Sequence, residues 1–373
     1  MAILTGESPF KEDLKILLND AGVTSASEQV LGPFTEISQA VGEAVLDGFL
    51  PASTTNSLHW PFLLLTVILI IVLFVVRKGR GAKGADGAER PARFWQYLFP
   101  RDIYLHQSSW VDMGLYILDR AMLPIWFVAF LGTIAPAVEA FTIDFLYAEF
   151  GAPPTLEATT GTMLLYGLVS FLVADMIFFF THLMMHKTRI GWAIHKVHHS
   201  AQVLTPLTRY REHFIAAPIW ASGYAVGLSF VASVFAYLYV DSMVHITLLN
   251  MSVFSFLYAL NGNFRHHHVS FRYPRWLEYW LQSPGMHHTH HSYLKKHWDT
   301  NLGLATSVWD RMFGTLYIAE RYEATPWGLT EEEQADYTTL GGNLKSPFVE
   351  IAGIVAAPFK QKRKVRAKTE PAE

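Results

Sequence analysis

Thr162–His199 reads TMLLYGLVSFLVADMIFFFTHLMMHKTRIGWAIHKVHH. From Thr162 to Thr181 its one charged side chain is Asp175; five histidines follow by residue 199. At about 1.5 Å per residue, such an apolar run is long enough to cross the hydrocarbon of a bilayer. His182-x-x-x-His186 places two imidazoles on one helix face, and His195-x-x-His198-His199 does so again. The stretch predicts a membrane helix that ends in clustered nitrogen ligands. The fold class that follows is all-α.

Composition agrees. The 373 residues are 51% hydrophobic and 16% charged, against about 25% charged in soluble domains. A net charge of −3 argues against a nucleic-acid partner. No cysteine is present, which excludes disulfides, thiolate metal sites, cysteine-ligated iron–sulfur clusters and cysteine nucleophiles. Seventeen histidines remain, so any metal site is built from nitrogen and oxygen.

Other apolar runs extend the membrane reading. Residues 61–76 are uncharged between Trp60 and Arg77-Lys78, in the wrong order for a cleaved signal. A second span runs from Met113 to Val138, interrupted by Asp119-Arg120; Phe214–Val240 and Met243–Leu260 form an out-and-back hairpin turning near Asp241. Residues 77–112 carry seven Lys or Arg and 139–161 carry none, so the former loop is cytoplasmic and the latter outside. The hairpin then returns Arg265 to the side where His182 emerges, letting the histidine groups meet. The expected organisation is an extramembrane extension (1–57), a first membrane helix (58–77), a cytosolic basic linker (78–112), a second membrane helix with outside loop (113–160), a catalytic region (161–320) and a cytosolic C-terminal tail (321–373). That is a multi-pass bundle of four to five membrane helices with a cytosolic helical cap. The setting expected is a bacterial inner membrane rather than the endoplasmic reticulum.

Two further groups, Arg265-His266-His267-His268 and His287-His288-Thr289-His290-His291, repeat the clustering. Eight to ten imidazoles exceed what one ion uses, which suggests two. His267 and His288 adjoin better-placed neighbours and are expected to point away; His213 stands between ligand and supporting residue. His245 suits a helix–helix hydrogen bond, and His59 and His106 structural roles. Imidazole suits zinc, copper, iron and nickel. The chain lacks the H-E-x-x-H of zinc proteases and any Glu-x-x-His pair of carboxylate-bridged di-iron bundles. All-histidine iron at a membrane surface points to dioxygen chemistry on a lipid. A metal transporter, the reading from another class, would place ionisable groups at midplane in several helices.

The ordered set HLMMH, HKVHH, TRYREH, FRHHHV, SPGMHHTHH and HWDTNLGLATSVWDRMFGTLY, over about 162–320, resembles the fatty acid hydroxylase/sterol desaturase superfamily of membrane di-iron enzymes. The resemblance implies two iron ions, O2 as oxidant and hydroxylation of a lipid C–H bond, in an acyl chain, sterol-like skeleton or headgroup. Desaturation with the same ligands is the alternative outcome. It places the ligands on His182, His186, His195, His198, His199, His287, His290 and His291, with His266 and His268 next. It reads Asp175, Asp299, Asn301 and Asp310 as groups that fix imidazole tautomers. Phe214 stands where the family often has proline. No flavin, nicotinamide or haem motif is present, so electrons come from a separate ferredoxin- or cytochrome b5-type system.

Overall fold

The computed structural model describes residues 60–76, 93–126, 132–154, 156–239, 262–319 and 325–369. Among them the regular structure is helical, apart from the isolated bridges Leu281–Thr306 and Ser292–Trp327. In chain order the α-helices are α1 (Trp60–Val76), α2 (Phe94–Leu98), α3 (Arg101–Tyr104), α4 (Gln107–Trp126), α5 (Gly132–Phe150), α6 (Thr160–Lys187), α7 (Arg189–His199), α8 (Ala216–Leu238), α9 (Arg275–Glu278), α10 (Pro284–His290), α11 (Val308–Phe313), α12 (Glu331–Gln334) and α13 (Leu340–Thr369). Helices α6 and α8 are long and apolar enough to cross a membrane; α1 is apolar but shorter. The N-terminal extension, the linker from 77 to 92, and the hairpin's turn at Asp241 and second arm lie outside the described residues, as do His59 and His245.

Two boundaries differ from the sequence reading. The expected span 113–138 is divided between α4 and α5. Helix α5 runs on to Phe150, through residues read as an outside loop, and packs on α8. Its acids Glu139, Asp144 and Glu149 all stay exposed, so they do not oppose the helix. The segment read as a C-terminal tail also packs: α13 lies against α7. Lys196 of α7 is buried and meets Glu333 and Glu350, each at 3.0 Å, and Tyr337 donates to Glu350 at 2.8 Å.

One residue makes the corner that positions the site. Thr188 ends α6 and begins α7. Its hydroxyl donates back to Met184 O (2.9 Å), which also accepts from Thr188 N, and accepts from Gly191 N (3.0 Å), serving an orphan amide of the next helix. Position 191 has to be glycine. A Cβ there would stand 2.6 Å from the Thr188 hydroxyl and 2.7 Å from Met184 O and Met185 Cα. Helix α7 is thereby folded back against the end of α6. Behind it, buried Arg211 donates to Val197 O (3.0 Å) and to Asp112 of α4 (2.8 Å).

Candidate metal centre

Helix α6 brings His182 and His186 on consecutive turns, α7 brings His195, His198 and His199, and α10 brings His287 and His290, with His291 as its C-cap. His266 follows the helical turn at 262–265. These nine imidazoles gather in two groups. His182, His186, His195, His199 and His290 form one, and His198, His266, His287 and His291 the other; within each group the ligand atoms lie within 4.8 Å of one another. The H-x-x-H-H spacing therefore divides its ligands between the groups: His195 and His199 enter the first, His198 the second. His182 Nε2 lies 3.0 Å from His195 Nε2, so two elements 13 residues apart meet there.

Whether the groups fit metal ions turns on where the ring protons sit. A carbonyl only accepts, so His182 Nδ1 donates to Leu302 O (2.7 Å) and His290 Nδ1 to Thr300 O (2.8 Å). His186 Nδ1 faces Asp299 Oδ1 at 3.2 Å, and that hydrogen bond helps hold the Asp299 carboxyl at about 2. In each ring Nε2 is left with an inward lone pair. The Nε2 atoms of His186, His199 and His290 are buried with no hydrogen-bond partner, a costly arrangement unless a cation receives them. In the second group the Nε2 atoms form a chain: His198 to His266 at 3.1 Å, His266 to His287 at 2.9 Å, and His287 to His291 at 3.0 Å. With one proton per neutral ring these contacts cannot all be hydrogen bonds; lone pairs converging on a cation would satisfy every one. Burial pushes His198 down to about 3 and lowers His195, His199, His266, His287, His290 and His291, so the rings stay neutral, as ligands must be. The donor sets fit.

His268 corrects the sequence reading. Its Nε2 donates to Tyr97 O (2.9 Å), outside both groups. His266, two residues earlier, takes the inward place in the second group. His267 and His288 point away as expected: His267 Nδ1 accepts from Val269 N, and His288 Nε2 donates to Phe264 O. His213 is in neither group and donates to Leu344 O (3.2 Å). His106 accepts from Ser108 N.

The polar residues correct it too. Of the four carboxylate and amide groups expected to orient imidazoles, Asp299 alone is seen bonded to one. Asp310 accepts from Leu302 N (2.7 Å), Gly303 N (2.8 Å), Gln282 Nε2 (2.6 Å) and Thr315 Oγ1 (2.6 Å). Asp175 accepts from Ala305 N (2.8 Å), Thr306 Oγ1 (2.5 Å) and Trp309 Nε1 (3.1 Å). Asn301 joins Met286 O to both polar groups of the Tyr317 backbone. These side chains shape the loop 299–306, and the loop's carbonyls orient the rings. Asp299 and Asn301 hold φ of 56° and 54° in it, a region these two residue types tolerate best after glycine.

Sequence reasoning missed Glu212 and Arg265, although both lie inside the motifs it used. Glu212 Oε1 is 3.5 Å from His198 Nδ1 and 3.7 Å from His195 Nδ1, facing both groups, and burial pushes its carboxyl up to about 7. Arg265 donates to His287 Nδ1 (2.8 Å) and to the carbonyls of Gly303 and Leu304. With Nδ1 so engaged the His287 proton sits on Nε2, and offering that nitrogen to a metal as a neutral ligand requires Arg265 to release Nδ1.

Two cavities reach the centre. One of about 330 Å³ is lined by Phe178, Trp220 and Tyr224 of the long apolar helices and by histidines of both groups. The other, about 300 Å³, touches His186, His199 and His290 from beside Trp298 and Asp299.

Nine converging histidines at the end of long apolar helices define a membrane-associated protein with a histidine-rich site compatible with metal. Residues 167–315, which contain all nine, match the model of the fatty acid hydroxylase family. The likeness is to a fatty acid hydroxylase domain and lies in residues 167–315 of the chain. Alkylglycerol monooxygenases of Xenopus tropicalis and Danio rerio are each 31% identical over 163 residues, 43% of this chain and 32% of the relative. The chain thus matches about a third of the length of these curated relatives. No solved structure matches it.

Proposed function

We propose that the chain is a membrane-bound, non-haem di-iron monooxygenase that hydroxylates a C–H bond of a lipid, with O2 as oxidant and electrons from a separate carrier. The observation that carries this reading is the division of nine imidazoles into groups of five and four, with members of both groups lining one cavity together with apolar helices. Two irons, when bound, supply the oxygen-dependent C–H oxidation. His182, His186, His195, His199 and His290 would hold one, and His198, His266, His287 and His291 the other. The hydroxylase domain and the name of the relatives, alkylglycerol monooxygenase, favour hydroxylation of a glycerol-type or other lipid.

The chain's own residues bind, orient and exclude. Phe178, Trp220 and Tyr224 form an aromatic wall opposite the ligands, suited to an alkyl chain and to displacing water. Loop 299–306 fixes which nitrogen of His182, His186 and His290 faces inward. Glu212, in the same cavity and titrating near neutrality, is placed to hold a proton at Oε2, which is buried and accepts no hydrogen bond. The topology we favour has four to five spans, the centre on the cytosolic side and donor access from the Trp298 side.

The test is mass spectrometry of membrane lipids with and without the gene, under 18O2, alongside elemental analysis of the purified protein. We expect about two irons per chain and one labelled oxygen atom in the product. A single tightly held zinc with no turnover after iron loading overturns the reading. A product two hydrogens lighter and free of label identifies a desaturase.

A further inference from the structure

One face of the histidine-bearing region is used by none of this chemistry. Residues 275–281 and helix α11 lie side by side, with Ser307 N donating to Trp280 O and Gln282 N to Ala305 O, both at 2.9 Å. From this platform Trp276, Trp280, Met312 and Phe313 stand 68, 55, 67 and 48% exposed. Large apolar side chains at this density mark a contact surface rather than a water-facing one.

The ionisable groups on it divide by sign. Arg275 and Arg311 are exposed. Glu278 is turned inward, 2% exposed, and accepts from Arg272 and Ser283. Asp310 is buried in its bonds to the loop. The Arg311 guanidinium lies 4.8 Å over the Trp280 ring. The outward face of these two segments therefore offers aromatic and cationic groups and no anion.

It is also continuous with a membrane helix. The Phe313 ring packs on Phe180 at 5.0 Å and Phe179 at 5.4 Å, and on α6 Phe180 and Met184 are themselves exposed. Phe180 lies about 10 Å along the axis from the end of α6, the depth at which hydrocarbon gives way to headgroups.

We propose that this face is seated in the bilayer interface, with Trp276, Trp280, Met312 and Phe313 at the acyl–headgroup boundary and Arg275 and Arg311 on lipid phosphates. Tryptophan favours that layer, amphipathic surfaces rest about 5–10 Å into it, and guanidinium matches phosphate bidentately. A protein partner fits less well, because it would have to cover a surface that runs without a break into the lipid-facing side of α6. The seat bears directly on the centre. Residues 275–281 lead into α10, and α11 carries Asp310, so the bilayer surface braces both the ligand helix and the loop that orients its rings.

The chain contains no cysteine, so single-cysteine variants carry one spin label each. Met312→Cys and Trp276→Cys, in the full chain in nanodiscs of mixed zwitterionic and anionic phospholipid at one chain per disc, are compared with Leu164→Cys on exposed α6 and Glu332→Cys on α12. Collisions with dissolved oxygen should exceed those with a water-soluble nickel chelate several-fold at 312 and 276, as at 164, and the order should reverse at 332. Nickel access at 312 and 276 equal to that at 332 overturns the proposal. So does a label that is immobilised only when two chains share a disc, which would put a second copy on the patch. The readout needs neither metal nor turnover, so its failure is distinct from failure of the hydroxylase reading.

Discussion

An imidazole has two nitrogens and, when neutral, one proton, so whatever holds Nδ1 decides whether Nε2 can take a metal. Here the carbonyls of Thr300 and Leu302 make that decision for His290 and His182, and Asp310 holds the backbone that carries the second. Both Asp310 oxygens receive two donors. In Asp310→Asn an NH2 would have to face two of those donors on one side or the other, whichever way the amide turned. We expect metal affinity to fall about 10–100-fold, measured by chelator competition, with the helix content retained. His268→Ala should leave bound metal unchanged while His290→Ala lowers it; equal loss in both would detach metal binding from the groups described. Histidine spacing was readable because it is written in side chains. The orienting carbonyls were not, since every residue has one and only the fold selects those of Thr300 and Leu302. His268 was misassigned because a run of three histidines does not say which of them the turn will aim inward.

At the scale of elements, the centre depends on one tight corner. The fold-back of α7 on α6 sets His195 against His182, and the close approach at Gly191 permits it. Gly191→Ala would push a methyl into main-chain atoms of Met184 and Met185, which cannot retreat as a flexible side chain could. Overpacking of this kind costs about 1–3 kcal/mol, and relief by opening the corner would separate the ligands. We expect lower thermal stability together with loss of metal from the first group; wild-type metal content would show that the corner is looser than its distances imply. Thr188→Ala, which removes one hydroxyl and adds nothing, should be milder, about 1 kcal/mol. The end of α6 was legible from the switch between apolar and histidine-rich sequence. The packing of α13 on α7 was not. Its anchor is Lys196 with Glu333 and Glu350, and charged residues scattered over 155 positions read as solvated surface until the fold brings them together.

For the whole molecule, burying so many histidines without protons ties stability to pH. His198 is pushed down to about 3, and His268 and His288 to about 4, each chiefly by burial. In the unfolded chain the same rings take up protons below about 6.5. The folded, metal-free protein therefore binds fewer protons than the unfolded one throughout the interval between these values. Stability rises with pH wherever the unfolded state holds more protons, so the contribution is complete above about 6.5, falls steadily as pH drops toward 4, and is lost as pH passes through the folded values. His268 and His288 lie outside both ligand groups, so part of this dependence persists whatever metal is bound. Imidazoles held by a metal resist protonation, so loading should move the fall to lower pH without abolishing it. The measurement is the unfolding midpoint by circular dichroism in detergent, metal-free and metal-loaded, from pH 8 to pH 4. We expect the metal-free midpoint to be level above about 6.5 and to decline below it, with the loaded protein following later. His268→Ala and His288→Ala together should flatten the loaded profile. A metal-free midpoint unchanged between pH 7 and pH 4 would mean that the buried rings gain their protons inside the fold, and that the cavity walls open to water as they do.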